Sequence, residues 1–386
     1  MCEKSGERAK TVKADSSPQG CVAPNGSTTR PSLAPIAAGR RASLARPPGR
    51  GWDFERVWRL PALAGIAWDV GRVLYEQRLE GPRLRTLQET KLRRLLAHAN
   101  RSVPYYRELF QKAGLAPGDI QTLDDLPRVP ITSRAELQAQ PQERLLSTDF
   151  AALPLRTATT TGSTGRPLSS RQEASFDRSR RALFLRALWA GGYRIGMKIA
   201  LVDNASPRSA PWWTRLHYIP QDLPAEAMLD AIDQIRPTVL YTPLSPLRQM
   251  VDLIQSEDRR LHRPRLVITT AEILDPPTRR LLRDVLGASV FDLYGSTELG
   301  VIAWECAAHD GYHIAEDRMI IELVADERGG PARIIATSLD LMAMPLIRYE
   351  TGDRGTPGPT GRCACGRASR KCCGRCCSAV AWPMRR

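Results

Sequence analysis

The chain has 386 residues, room for two or three folded units of roughly 100–200 residues each, and 42% of them are hydrophobic, which permits a real core. Its formal net charge of +15 suggests a polyanion partner until the charge is located. Residues 1–50 carry nine Lys/Arg against three Asp/Glu, residues 361–386 carry seven basic residues and no acid, and the body between is close to neutral. That distribution excludes the clustered cations of a nucleic-acid groove, so no specific nucleic-acid partner is expected.

No run of about 18 apolar residues occurs, and residues 1–20 lack the apolar centre of a secretory signal. The expectation is therefore no membrane partner and a cytoplasmic location. Six of the nine cysteines lie between Cys363 and Cys377, and none lies between Cys21 and Cys306. Such a distribution is not a disulfide framework.

Residues 1–50 are rich in Pro, Gly, Ser, Ala and Arg without apolar periodicity, which predicts a disordered basic tail. Order is expected to begin near Trp52. Leu84, Leu87, Leu92, Leu95, Leu96 and Ala99 fall mostly on one helical face. The stretch "SVPYYRELFQKAGL" breaks at Pro104, resumes as a short helix and ends at Gly114. In "TSRAEL", Ser133 and Glu136 form a capping box for the next helix.

The segment "TATTTGSTGRPL" (157–168) offers almost no apolar surface. Its glycines let a backbone approach a ligand closely, its hydroxyls are short donors, and Arg166 adds a cation. These parts suit polyphosphate, although a flexible Ser/Thr/Gly linker has a similar composition. The spacing matches neither a Walker loop nor a G-x-G-x-x-G turn.

Beyond it the pattern alternates. A helix containing Phe176, Leu183, Phe184, Ala187 and Leu188 stops at Gly191-Gly192 and is followed by "KIALV". Next, "AEAMLDAIDQI" precedes "TVLY", "LRQMVDLIQ" precedes "RLVITT", and "PTRRLLRDVL" precedes "SVFDLYG". Helices alternating with short β-rich runs predict an α/β fold with a doubly wound, largely parallel sheet, whose ligands bind at the strands' carboxyl ends. After residue 310, "MIIELV" and "ARIIAT" follow without a helix between them, which predicts a small antiparallel β unit.

Three motifs stand in order: "TTTGSTGRPL" (159–168), "DLYGSTELG" (292–300) and "RYETGDRG" (348–355). With "LLAHANRSVPYYRELFQKAGL", "DDLPRVPIT", "HDGYHIAED" and "TSLDLMAMPLIRYETGD", the chain resembles the adenylate-forming enzymes over about residues 85–367. Within them it resembles the phenylacetate–coenzyme A ligase-like branch, which includes capsular-polysaccharide relatives and a coenzyme adenylyltransferase.

The resemblance implies the fold of the large N-terminal domain of those enzymes. It also implies activation of a small carboxylic acid, aryl or arylacetic, by ATP with Mg²⁺ to an acyl-adenylate and then a coenzyme A thioester. Transfer of AMP to a hydroxyl acceptor, or a non-catalytic remnant, stays open as an alternative. On this resemblance Thr160, Thr161, Gly162, Ser163, Thr164, Gly165 and Arg166 hold the β- and γ-phosphates. Tyr294 lies against adenine, Gly295 permits the turn, Thr297 reaches the α-phosphate, Glu298 binds magnesium, Glu272 belongs to the loop beside adenine, and Asp353 accepts the ribose hydroxyls. Trp212, Trp213, His217, Tyr218 and Tyr241 are candidates for the acid's pocket or for core.

Cys306, His313, Cys363 and Cys365 make a complete donor set for a structural Zn²⁺, with His309 as an alternative ligand and four unliganded residues as the plain reading. The expected domain boundaries are 1–50, 51–362 and 363–386. The last is an aberrant Cys/Arg-rich tail standing where relatives have a hinge and a lysine-bearing domain. That tail predicts a chain that binds ATP weakly and is inactive or a frameshift product, with Lys371 a poor substitute for the missing lysine. Homo-oligomerisation stays open.

Overall fold

A computed structural model describes residues 71–73, 75–159, 168–204, 215–258, 262–325 and 330–373. The 1–50 tail, the loop Thr160–Arg166, Trp212 and Trp213 lie outside the described residues.

Helix α1 (Gly81–Ser102) buries Leu92, Leu95, Leu96 and Ala99, the face marked by the sequence periodicity. Pro104 opens α2 (Pro104–Lys112) as its first residue, where the missing N–H costs nothing. Helix α3 (Arg134–Gln138) starts with the expected capping box: Ser133 Oγ accepts from the Glu136 N–H at 3.2 Å, and Ser133 N–H donates to Glu136 Oε2 at 2.7 Å. After α4 (Gln142–Leu145), strands β1 (Arg156–Thr159) and β2 (Ser169–Gln172) pair antiparallel as a separate two-stranded sheet.

The remaining elements build one mixed sheet. Helix α5 (Ala174–Ala190) leads to β3 (Ile199–Asp203) and β4 (Leu216–Pro220). Helix α6 (Ala225–Ile235), β5 (Val239–Pro243), α7 (Leu244–Glu257), β6 (Leu266–Thr270), α8 (Pro276–Leu286) and β7 (Ser289–Ser296) then alternate as the sequence pattern predicts. They continue into β8 (Gly300–Trp304), β9 (Tyr312–Ile314), β10 (Met319–Val324), β11 (Ala332–Ser338), β12 (Tyr349–Pro357) and β13 (Lys371–Cys373).

The spatial order is β10-β11-β12-β13-β9-β8-β7-β6-β5-β3-β4. Pairing is parallel from β4 through β7 and antiparallel from β7 through β10.

Neighbouring residues of a strand face opposite ways, and the core divides accordingly. Ile199, Val239, Ile268 and Leu293 pack with Leu183 and Leu188 of α5. Ala200, Leu240, Val267 and Val290 pack with Met228, Leu247 and Leu282 of α6, α7 and α8. Two covered faces explain why these strands read as continuous apolar runs and confirm the doubly wound arrangement. A third cluster joins α1 and α2 to Ile320, Leu339 and Ile347, so the N-terminal helices cover the antiparallel half.

The expected antiparallel unit is present as β10–β12, but it is continuous with the large sheet. The joint is β13, which falls in the segment expected as an aberrant tail. Cys363 and Cys372 are buried, and buried Lys371 donates to Asp310 Oδ2 at 2.7 Å, so residues 363–373 pack with the folded body and the last three join its sheet. Among the described residues no helix is long and apolar enough to cross a membrane.

Candidate functional site

Strand β7 carries the second motif across a register shift between Tyr294 and Gly295, a local bend that re-aims side chains. A Cβ on residue 295 would stand 2.6 Å from the Gly300 carbonyl oxygen, so only glycine lets the two backbones cross here. Just before the bend, Tyr294 is 3% exposed, and its hydroxyl donates to Asp353 Oδ2 at 2.7 Å. Asp353 is half-buried on β12, and its N–H donates to Thr351 Oγ1 at 3.1 Å. The second and third motifs therefore meet across 59 positions of sequence.

Glu298 makes the second junction. Its side chain is 1% exposed, and Oε1 accepts from Arg134 Nη2 at 2.5 Å and from the Tyr349 hydroxyl at 3.2 Å. Burial lowers the Arg134 guanidinium, but Tyr349 and Glu298 more than offset this and hold it above its ordinary value. Burial beside the Glu298 carboxylate pushes the Tyr349 phenol up. Glu298 Oε2 is buried without a hydrogen-bond partner, an acceptor still open to a donor or a cation. Gln172 Nε2 donates to the carbonyls of Thr297 and Glu298 at 3.2 and 3.3 Å, which docks β2, and hence one stem of the 160–167 segment, against this turn. The Thr297 side chain is exposed.

Glu272 is placed differently. Its carboxylate accepts from the N–H and hydroxyl of Ser245, at 2.9 and 2.7 Å, in the first turn of α7. The preceding Ala271 has φ +72, a left-handed conformation strained for a residue with a Cβ. Among the pocket candidates, Tyr241 meets Phe184 edge-on with centroids 5.1 Å apart, Tyr218 donates to the Asp203 carbonyl, and His217 is exposed.

Arg134, Gln172 and Tyr349 were not singled out by the sequence. The only signal at Arg134 was a helix start, and Tyr349 stood unremarked within the third motif.

The four Cys/His candidates do converge. The ligating atoms of Cys306, His313, Cys363 and Cys365 all lie within 4.8 Å of one another. Cys306 and Cys363 sulfurs are 3.6 Å apart, and Cys365 Sγ is 3.4 Å from His313 Nε2. Bond lengths of about 2.3 Å to sulfur and 2.0–2.1 Å to nitrogen give tetrahedral edges of about 3.5–3.8 Å, so the set fits Zn²⁺. His313 Nδ1 lies 2.8 Å from Ser369 Oγ, a contact that orients the ring with Nε2 toward the thiols.

A tight turn presents the last two cysteines: Gly366 N–H donates to the Cys363 carbonyl and Cys363 N–H to the Arg367 carbonyl, both at 2.8 Å. Burial, with Arg367 and Lys371 nearby, lowers His313 to about 4 and keeps the imidazole in its neutral, ligating form. Burial pushes the Cys306 thiol up to about 12, a cost that a bound cation would remove. His309 stands outside this set, against Phe291 and Glu305.

A family described as AMP-binding enzyme matches residues 214–320. The chain is 28% identical over 327 residues to the phenylacetate–coenzyme A ligase of Thermus thermophilus, covering 76% of this chain and 71% of that protein. Residues 214–320 thus match an AMP-binding enzyme family, and the chain is similar over most of its length to a phenylacetate–coenzyme A ligase. A phenylacetate–coenzyme A ligase of Pseudomonas putida is 27% identical to this chain over 299 residues, covering 70% of it and 66% of the relative. In fold, the chain is similar to a crystal structure of 2-hydroxyisobutyryl-CoA ligase in complex with 2-HIB-AMP and CoA. That match has TM-score 0.67, with 19% identity, 78% of this chain and 70% of the other.

Proposed function

We propose that this chain is an acid–coenzyme A ligase that activates a small carboxylic acid, aryl or arylacetic, with ATP. The observation that carries this reading is the contact between Tyr294 and Asp353, which joins two motifs at the carboxyl-end side of β7. Phenylacetate–coenzyme A ligases at 27–28% identity support the choice of acid and thiol.

In the first half-reaction a carboxylate oxygen of the acid attacks the α-phosphorus of ATP. An acyl–phosphate bond forms, the α–β bridge breaks, and pyrophosphate leaves. In the second, the coenzyme A sulfur attacks the acyl carbon, its proton passes to solvent, and AMP leaves.

The residues serve these steps by placement and charge. Tyr294 packs against adenine while its hydroxyl holds Asp353, whose carboxylate accepts the ribose hydroxyls. The exposed Thr297 hydroxyl reaches the α-phosphate, and the loop Thr160, Thr161, Gly162, Ser163, Thr164, Gly165 and Arg166 receives the β- and γ-phosphates. Glu272 fixes the loop beside the base through Ser245. Arg134 and Tyr349 grip Glu298 by Oε1 and leave Oε2 for Mg²⁺, which fits that unpartnered oxygen. Bound there, the cation would neutralise phosphate charge. Cys306, His313, Cys363 and Cys365 would hold Zn²⁺ in a structural role.

The test is pyrophosphate exchange into ATP with added phenylacetate or benzoate, followed by thioester assay with coenzyme A. Acid-dependent exchange supports the reading. Its absence with every acid, together with no MgATP binding, refutes it.

A further inference from the structure

Helix α5 presents Asp177, Arg180, Arg181 and Phe184 at i, i+3, i+4 and i+7, the spacing of one helical face. Asp177 Oδ1 accepts from Arg180 Nη2 at 2.9 Å and lies 3.6 Å from Arg156 Nη1, while Oδ2 meets Arg181 Nη2 at 2.7 Å. One carboxylate thus serves three guanidiniums. Arg180 Nε is buried without a hydrogen-bond partner. Burial and the crowding of Arg180 together hold the Arg156 guanidinium below its ordinary value. Asp203, at the end of β3, adds only a weaker pull on Arg156.

This charge adjoins the reaction cleft. Arg156 opens β1, and its Nη1 donates to Gln172 Oε1 at 3.1 Å; Gln172 is the side chain that holds the Thr297 and Glu298 carbonyls. The Arg180 stem covers Gly300, where a Cβ would come within 2.7 Å of Arg180 Cγ. One turn further along α5, Phe184 meets Tyr241 on β5, and the Tyr241 phenol feels the Arg180 charge. The two arginines therefore link the Glu298 turn, through Gln172 and Gly300, to the Phe184–Tyr241 pair. With side chains 43% and 30% exposed, both can reach a ligand.

We infer that Arg156 and Arg180 form an oxyanion subsite for the acyl partner: the acid carries a second anionic group, carboxylate or phosphate, besides the carboxylate that is activated. The inference rests on the adenylation reading above. Two planar forks around a shared Asp177 suit a bidentate oxyanion, and an uncharged ring would leave them underused.

Isothermal titration of the full chain with three probes tests it. The probes are MgATP alone and two non-hydrolysable aroyl-sulfamoyl adenosines, one with a neutral ring and one with a second carboxylate on the ring. Wild type should bind the carboxylated mimic about tenfold or more tightly than the neutral one. Arg180→Leu should erase that preference while MgATP affinity and melting temperature hold, and Arg180→Lys should retain part of it. Should Arg180→Leu fail to fold, Arg180→Lys and Arg156→Gln carry the same comparison. Equal affinity of wild type for the two mimics overturns the proposal. So does a loss confined to MgATP in the variants, which would assign the arginines to the ATP phosphates. Failure of wild type to bind any of the three probes instead refutes the adenylation reading, and the subsite with it.

Discussion

The Tyr294–Asp353–Glu298 region and the Cys–His cluster are both assembled from distant sequence, yet they are finished to different degrees. The cluster is nearly closed: four donor atoms lie within 4.8 Å of one another, three of the residues are buried, and Ser369 orients the imidazole. The proposed nucleotide region is left open by its parts. Thr297 is exposed, Asp353 is half-buried, and Glu298 keeps an oxygen without a partner. A structural donor set completes itself around one ion, whereas a reaction site must hold polar groups in readiness and rely on surrounding structure to offset the cost.

Substitutions can break this contrast. The largest effect is expected from Glu298→Gln, which keeps the shape and removes the charge. Magnesium-dependent pyrophosphate exchange should fall about 10²–10³-fold with little change in melting temperature. An unchanged rate would move the cation's seat elsewhere.

Next, Cys363→Ala should abolish zinc retention, read as metal per chain by mass spectrometry. It should also lower the melting temperature by about 6–12 °C for a loss of about 3 kcal/mol. Nucleotide affinity should fall much less than stability, and an equal collapse of both would erase the distinction between the two regions. Asp353→Ala removes a charged acceptor and the partner of Tyr294, so MgATP affinity should weaken about tenfold to a hundredfold by titration calorimetry.

The smallest effect sharpens the link between the regions. Buried Asp292 on β7 accepts from Thr269 at 2.5 Å and from Tyr312, the neighbour of His313, at 2.7 Å. Burial raises its carboxyl from 3.8 to about 6, against those two donors. The folded chain therefore keeps this proton to higher pH than the unfolded chain. The stability contributed is fully present below about pH 4 and lost as pH rises through 6. The melting-temperature difference between wild type and Asp292→Asn should change across that window and stay flat above it. A flat difference throughout would show that Asp292 stays charged.

Much of the architecture could be read in advance, because burial on two faces writes continuous apolar runs into β3, β5, β6 and β7, and one-sided burial writes a stripe into α1. The sheet's width could not. Strand β13 is three residues in a Cys/Arg-rich stretch, too short for a period and dependent on Tyr312 and Thr356 for its pairing. Tyr294, Glu298 and Asp353 were legible through motif order, and the structure brings Tyr294 to Asp353. Arg134 was not, since its ion pair spans 164 positions and only packing selects it from 49 arginines. Likewise, Glu272 stood in a recognisable motif, but its bond to Ser245 depends on the approach of β6 to α7.

The brevity of β13 has a mechanical meaning. It meets β12 through two residue pairs and β9 through two more, and these four pairs splice β10–β12 to the rest of the sheet. The backbone crosses so closely that a Cβ on residue 358 would lie 2.8 Å from Lys371. An eleven-strand span thus has two of its thinnest seams beside the thiol-bearing turn, and whatever stiffens that turn acts as a rivet for the whole plate.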